Sequence, residues 1–160
     1  MGRINKIGGS TGVGNSKQLS LEQQAYSSLI KELENSINNI KTYNINKNAK
    51  AITNKYPITK GGYFGKKGSS TKIRVINTDK PISEAENFFN KISKGYTYIK
   101  SDGNVKLAYL PDGSIITYRV YTKTSKTGNS PAVDINIKSS KVNPKIKNQR
   151  IHFEEEKKYD

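Results

Sequence analysis

The feature that most constrains this chain is a strict alternation of apolar and polar residues in its last third. In SIITYRVYT (114–122), Ile116, Tyr118 and Val120 fall on one side of an extended backbone, and Thr117, Arg119 and Tyr121 on the other. In AVDINIK (132–138), Val133, Ile135 and Ile137 alternate with Asp134, Asn136 and Lys138. In QRIHF (149–153), Ile151 and Phe153 are apolar, which turns His152 to the same side as Arg150. A period of two describes strands buried on one face, not helices. Two further runs, YTYIK (96–100) and VKLAYL (105–110), precede these, and KIRVIN (72–77) adds an earlier β-branched strand. Ser101-Asp102-Gly103-Asn104 and Pro111-Asp112-Gly113 supply turns between consecutive runs. Between KIRVIN and YTYIK, Asp79 is a helix-cap candidate, Pro81 suits a first turn, and Ile82, Ala85, Phe88, Phe89 and Ile92 form an apolar face before Gly95. The reading is α+β: an N-terminal helical arm followed by a small antiparallel sheet packed on one or two helices.

The first half is organised differently. Residues 1–18 are rich in Gly, Ser, Thr and Asn and read as a flexible leader. The glycines at 9 and 14 do not form a phosphate loop, because Asn15-Ser16 stands where Lys-Ser/Thr is required. From Leu19 to about Tyr43, Leu21, Ala25, Leu29, Leu33, Ile37 and Ile40 recur every three or four residues, one stripe of a helix with Ser20 as N-cap. That stripe is expected to pack on the domain or on an upstream partner. Residues 44–60 are polar, basic and Asn-rich and read as a linker. The loop GGYFGKKGSS (61–70) is either a turn cluster or, through Lys66, Lys67 and free amides, a phosphate cradle. The expected layout is therefore a leader at 1–18, helical arm and linker at 19–59, a folded domain at 60–153 and a charged tail at 154–160.

Charge narrows the function. Lys and Arg number 28 against 13 Asp and Glu, a net charge of +15 over 160 residues. Uncompensated charge of this size weakens a compact state and points to an anionic partner, nucleic acid first. A membrane surface fits less well, because the long helix is polar and evenly charged. No apolar run is long enough to span a bilayer, and the N-terminus lacks a signal peptide's apolar core. With no cysteine and one histidine, thiol catalysis, cysteine metal sites and two-histidine mechanisms are excluded. No cofactor and no metal is expected.

If the last strands pair with their apolar faces together, Thr117, Arg119, Asp134, Asn136 and His152 gather on one open polar face beside Arg150. Such a set suits metal-free cleavage of RNA, in which the ribose 2′-hydroxyl attacks phosphorus and leaves a 2′,3′-cyclic phosphate. Histidine can move the proton near neutrality, and Arg119 offers a planar fork for phosphate. Thr117 or Ser125 could donate to a phosphoryl oxygen, and Asp134 is one candidate for a second proton-transfer group. Around this face, Lys123, Lys126, Lys138, Lys141, Lys145, Lys147 and Arg150 stand against the single acid Asp134, with Tyr118 and Tyr121 nearby, the composition of a groove that tracks a nucleic-acid backbone.

The stretch DGSIITYR, then SKTGNSPAVDINI, closed by KIKNQRIHF, resembles the C-terminal nuclease domains of bacterial polymorphic toxins of the contact-dependent inhibition and LXG types. ISEAENFFNKISKG resembles the segment before that core, so the similarity covers about 60–153. The resemblance implies a barnase/EndoU/colicin/RelE-like fold, secretion and delivery into a target cell's cytoplasm, cleavage of RNA (tRNA in particular), and a cognate immunity protein covering the active face. A host translation factor is a further candidate partner. It carries Thr117, Arg119, Ser125, Asp134 and His152 over as the site.

Two rival readings remain. Pro111-Asp112 followed by Asp134-Ile135-Asn136-Ile137-Lys138 distantly resembles the carboxylate–lysine pattern of magnesium-dependent DNases, although Asn136 occupies the second carboxylate position. The other is a non-enzymatic basic module that only binds nucleic acid.

Overall fold

The computed structural model describes residues 20–120 and 130–156. The elements are α1 (Leu21–Thr42), α2 (Ile45–Ala51), β1 (Lys66–Lys67), β2 (Ile73–Asn77), α3 (Pro81–Ile92), β3 (Tyr98–Asp102), β4 (Val105–Tyr109), β5 (Ile115–Arg119), β6 (Ala132–Asn136) and β7 (Gln149–Glu154). The chain divides into two compact units, the second starting at Asn38.

In the first unit, Ser20 caps α1 as expected. Gln23 donates its backbone N–H to Ser20 Oγ at 3.1 Å, while Gln23 Oε1 accepts from the Ser20 amide at 3.0 Å, a reciprocal capping box. No residue of α1 is buried, and Leu21, Leu29, Leu33 and Ile37 of its apolar stripe are exposed.

The second unit is an α+β domain built on one seven-stranded sheet in the order β1-β2-β7-β6-β5-β4-β3. β3 to β7 form the expected antiparallel meander, through tight turns for β3–β4 and β4–β5 and longer connections for β5–β6 and β6–β7. β2 departs from the antiparallel rule and runs parallel to β7, with Val75 beside His152. A parallel neighbour requires a crossover rather than a tight turn, and that pairing places β7 inside the sheet.

One face of the sheet holds the core. Phe88 of α3 is its hub, packing edge-on against Tyr56 and Phe64 with centroids 5.0 Å away, and against Phe153 at 5.6 Å. Ala85, Phe89 and Ile92 are buried with it, whereas Ile82 is exposed and leaves the expected face. Pro81 opens α3, but Lys80, not Asp79, occupies the cap position, and no side-chain cap bond forms there. Gly95 follows at φ 78, where an added Cβ would lie 2.0 Å from the Tyr43 ring.

The linker assignment for 44–60, and with it the domain start at 60, is corrected. Asn44 caps α2 by accepting from the Lys47 amide at 3.0 Å. Ile45, Ala49, Ile52 and Tyr56 belong to the core. Four apolar residues spread through an Asn- and Lys-rich stretch give α2 too little periodicity to read locally, yet they suffice for one short helix to dock. The tail is also redrawn, since Glu154 belongs to β7. The leader and residues 157–160 lie outside the described residues.

The 61–70 loop is a structural turn. Its amides are committed within the protein: Gly62 N donates to Thr59 O at 3.0 Å, Phe64 N to Gln149 Oε1 at 2.8 Å and Gly68 N to Ile73 O at 2.7 Å. Buried Arg74 ties the loop down through the carbonyls of Phe64, Thr71 and Gly65 and stacks on Tyr63.

Candidate active site

Pairing register brings the residues named from alternation together. Thr117, Asp134 and Arg150 face one another across β5, β6 and β7, and one step along the same face lie Arg119, Ala132 and His152. Arg119 and His152 are thus two strands apart, about 10 Å between Cα atoms, with only the Ala132 methyl between them in that row. Long side chains approach each other easily over so small a residue. Asn136 pairs with Ile115 one step in the opposite direction, away from His152; it is exposed, and its Oδ1 accepts from the Lys138 amide at 3.0 Å, a local turn bond.

Asp134 organises the two arginines. Arg150 Nε donates to Oδ1 at 2.7 Å and its NH2 to Oδ2 at 3.0 Å, and Arg119 Nε donates to Oδ2 at 3.3 Å. Hydrogen bonding to this carboxylate holds the Arg150 guanidinium more firmly protonated than usual, against the opposing effect of burial. A carboxylate bonded to two guanidiniums fixes the orientation of both. The three side chains carry one net positive charge, matching one phosphodiester.

His152 differs from its expected setting. It lies on the face predicted for it but is only 7% exposed, so the face is not open at that point. Burial lowers its pKa first, and Arg150 adds to this, while Glu154 and Asp134 pull the other way. The imidazole is therefore neutral near pH 7, the form a general base requires. Its Nδ1 is buried and has no hydrogen-bond partner among the described residues. A buried polar atom left unpaired is costly in a folded core.

The basic residues named from sequence separate. Ser125, Tyr121, Lys123 and Lys126 lie outside the described residues. Lys138, Lys145 and Lys147 are exposed in and after the β6–β7 connection, and Lys145 faces α2 in a depression treated below.

Asp112 removes the structural basis of the magnesium pattern. It is fully buried, and its Oδ2 accepts the Ile45 amide at the start of α2 at 3.0 Å, while Oδ1 accepts from the Ser114 amide at 2.8 Å. Among the described residues no three histidines and carboxylates cluster as metal ligands. Sequence reasoning missed this residue's role because the helix it caps is 67 positions away. It equally missed Gln149, a buried amide that bonds Phe64 N, Gly62 O and Lys147 O and so fixes where β7 begins.

Compared with protein families, curated proteins and solved structures, the chain gives no match. Among the described residues no helix is long and apolar enough to cross a membrane.

Proposed function

We propose that the 38–156 unit is a metal-independent endoribonuclease and acts as an antibacterial toxin domain. The observation that carries this reading is one buried histidine with an unpaired ring nitrogen, two residues along its own strand from Arg150 and two strands from Arg119, the two guanidiniums being held by a shared carboxylate. Arg119 and Arg150 hold the scissile phosphate and its developing charge. Neutral His152 takes the proton of the ribose 2′-hydroxyl as that oxygen bonds to phosphorus, the P–O5′ bond breaks with the 5′-oxygen taking a proton from water, and a 2′,3′-cyclic phosphate remains. Thr117, beside Asp134 in register, is placed to donate to a phosphoryl oxygen.

Support beyond the site comes from the +15 charge and from the resemblance to polymorphic-toxin nuclease domains. That resemblance supplies the finer terms: RNA, tRNA in particular, as substrate; delivery into a rival cell's cytoplasm; a cognate immunity protein; and a host translation factor as a further partner.

The test is incubation of the purified chain with total RNA in excess EDTA. New 5′-hydroxyl and cyclic-phosphate ends are expected, lost in His152→Ala and in the closer-sized His152→Gln with the fold retained by circular dichroism. Cleavage that requires magnesium, or that survives both substitutions, refutes the mechanism.

A further inference from the structure

A depression of about 490 Å³ opens beside α2. Three separate segments contribute Lys47 and Lys50, Lys60, and Lys145 to its rim, over a floor that includes Ile58 and Ile146. Among the described residues no carboxylate lines it, and none of these lysines forms an ion pair. Lys47 and Lys50, three apart, share one helix face.

The convergence is built rather than incidental. Asn46 donates to Asn143 O at 2.9 Å and accepts from the Lys145 amide at 2.8 Å, fastening the 143–145 segment to α2. Gly62, at φ 89, lets the 59–62 turn approach so closely that a Cβ there would lie 2.3 Å from Lys145 O. Lys147 N then donates to Gly62 O at 3.1 Å. Four cations held together without a counter-charge repel one another, and a polyanion relieves that repulsion.

We infer that this depression binds the phosphodiester backbone of single-stranded RNA beside the cleaved bond, an inference that rests on the reading above for its choice of ligand. Lys145 precedes Arg150 by five residues, so at most about 17 Å of chain separates the backbone at the depression from the arginine pair. Charge complementarity selects the phosphates, and the aliphatic floor tolerates any base, so the site adds affinity without sequence preference.

The experiment measures binding of a short fluorescein-labelled 2′-O-methyl oligouridylate, which has no free 2′-hydroxyl and cannot be cut, to the full chain. Lys50→Gln/Lys60→Gln is compared with Lys91→Gln/Lys106→Gln, which removes the same charge from exposed sites elsewhere. Loss of two phosphate contacts lowers the slope of log affinity against log salt by about 1.4, so the wild-type advantage shrinks about sevenfold between 50 and 200 mM salt. The control pair keeps the wild-type slope. Equal slopes for both pairs overturn the inference. So does an outcome in which polyglutamate, and not the oligonucleotide, binds through these lysines, since the ligand is then an acidic polypeptide. A chain that binds RNA here but leaves it uncut overturns the nuclease reading alone; one that cuts RNA while the groove variant keeps wild-type binding overturns only the groove.

Discussion

The Asp134 clamp yields the sharpest quantitative expectation, because its two arms are unequal. Arg150 makes two bonds, at 2.7 and 3.0 Å, and Arg119 one, at 3.3 Å. All three side chains are only partly shielded, with relative exposures of 22% for Asp134, 32% for Arg150 and 37% for Arg119. Fully exposed pairs contribute about 0.2–1 kcal/mol, and hydrogen bonds to charged groups about 1.5–3 kcal/mol. Solvent screening at about one-third exposure brings the two-bond arm to about 2 kcal/mol and the single long bond to about 0.5 kcal/mol. Double-mutant cycles with Asp134→Asn against Arg150→Met and against Arg119→Met, read by urea unfolding, measure both couplings. With a denaturant slope of about 2 kcal/mol/M, the Arg150 coupling corresponds to about 1 M in the midpoint. Equal couplings, or a larger one for Arg119, would refute the assignment of Asp134 as a clamp anchored on β7. Cleavage provides the functional counterpart: Arg119→Lys keeps the charge but loses the fork, and should lower turnover more than it lowers stability.

Three further outcomes follow from the same structure. Because burial depresses the His152 pKa below its unfolded value near 6.5, the unfolded chain binds more protons below that pH; stability is full above about pH 6.5 and falls as pH drops toward the folded-state pKa, and urea midpoints across that range should flatten in His152→Gln. Asp112→Ala leaves the Ile45 and Ser114 amides without their partner and should cost about 3 kcal/mol in unfolding free energy; an Asp112→Ala that kept full stability but lost a magnesium-dependent cleavage would restore the DNase reading. Gly62→Ala should cost about 3 kcal/mol by thermal or urea unfolding, since its φ is positive and Lys145 O blocks a Cβ, whereas Gly103→Ala, with open space around it, should cost about 1 kcal/mol; similar losses would show that the 62–145 approach does not matter.

Alternation is a property of neighbouring residues, so the sequence by itself determined the strands at 98–119 and 132–154, the α3 apolar face of Ala85, Phe88, Phe89 and Ile92, and the sidedness that puts Thr117, Arg119, Asp134, Arg150 and His152 on one surface. The tight turns at 102–105 and 110–114 also dictated the antiparallel pairing of β3, β4 and β5. Which strand lies next to which across long separations is not encoded in periodicity, because loop closure and packing decide it. Tertiary structure alone therefore settled the parallel β2–β7 pairing that puts His152 on an interior strand and buries it, the capture of Asp112 by the start of α2, and the docking of Ile45 and Ala49 from a stretch that looks like linker. It also gathered Lys47, Lys50, Lys60 and Lys145, which sequence order scatters over nearly a hundred positions, because a folded surface sums charges by distance in space and the chain records only distance in sequence.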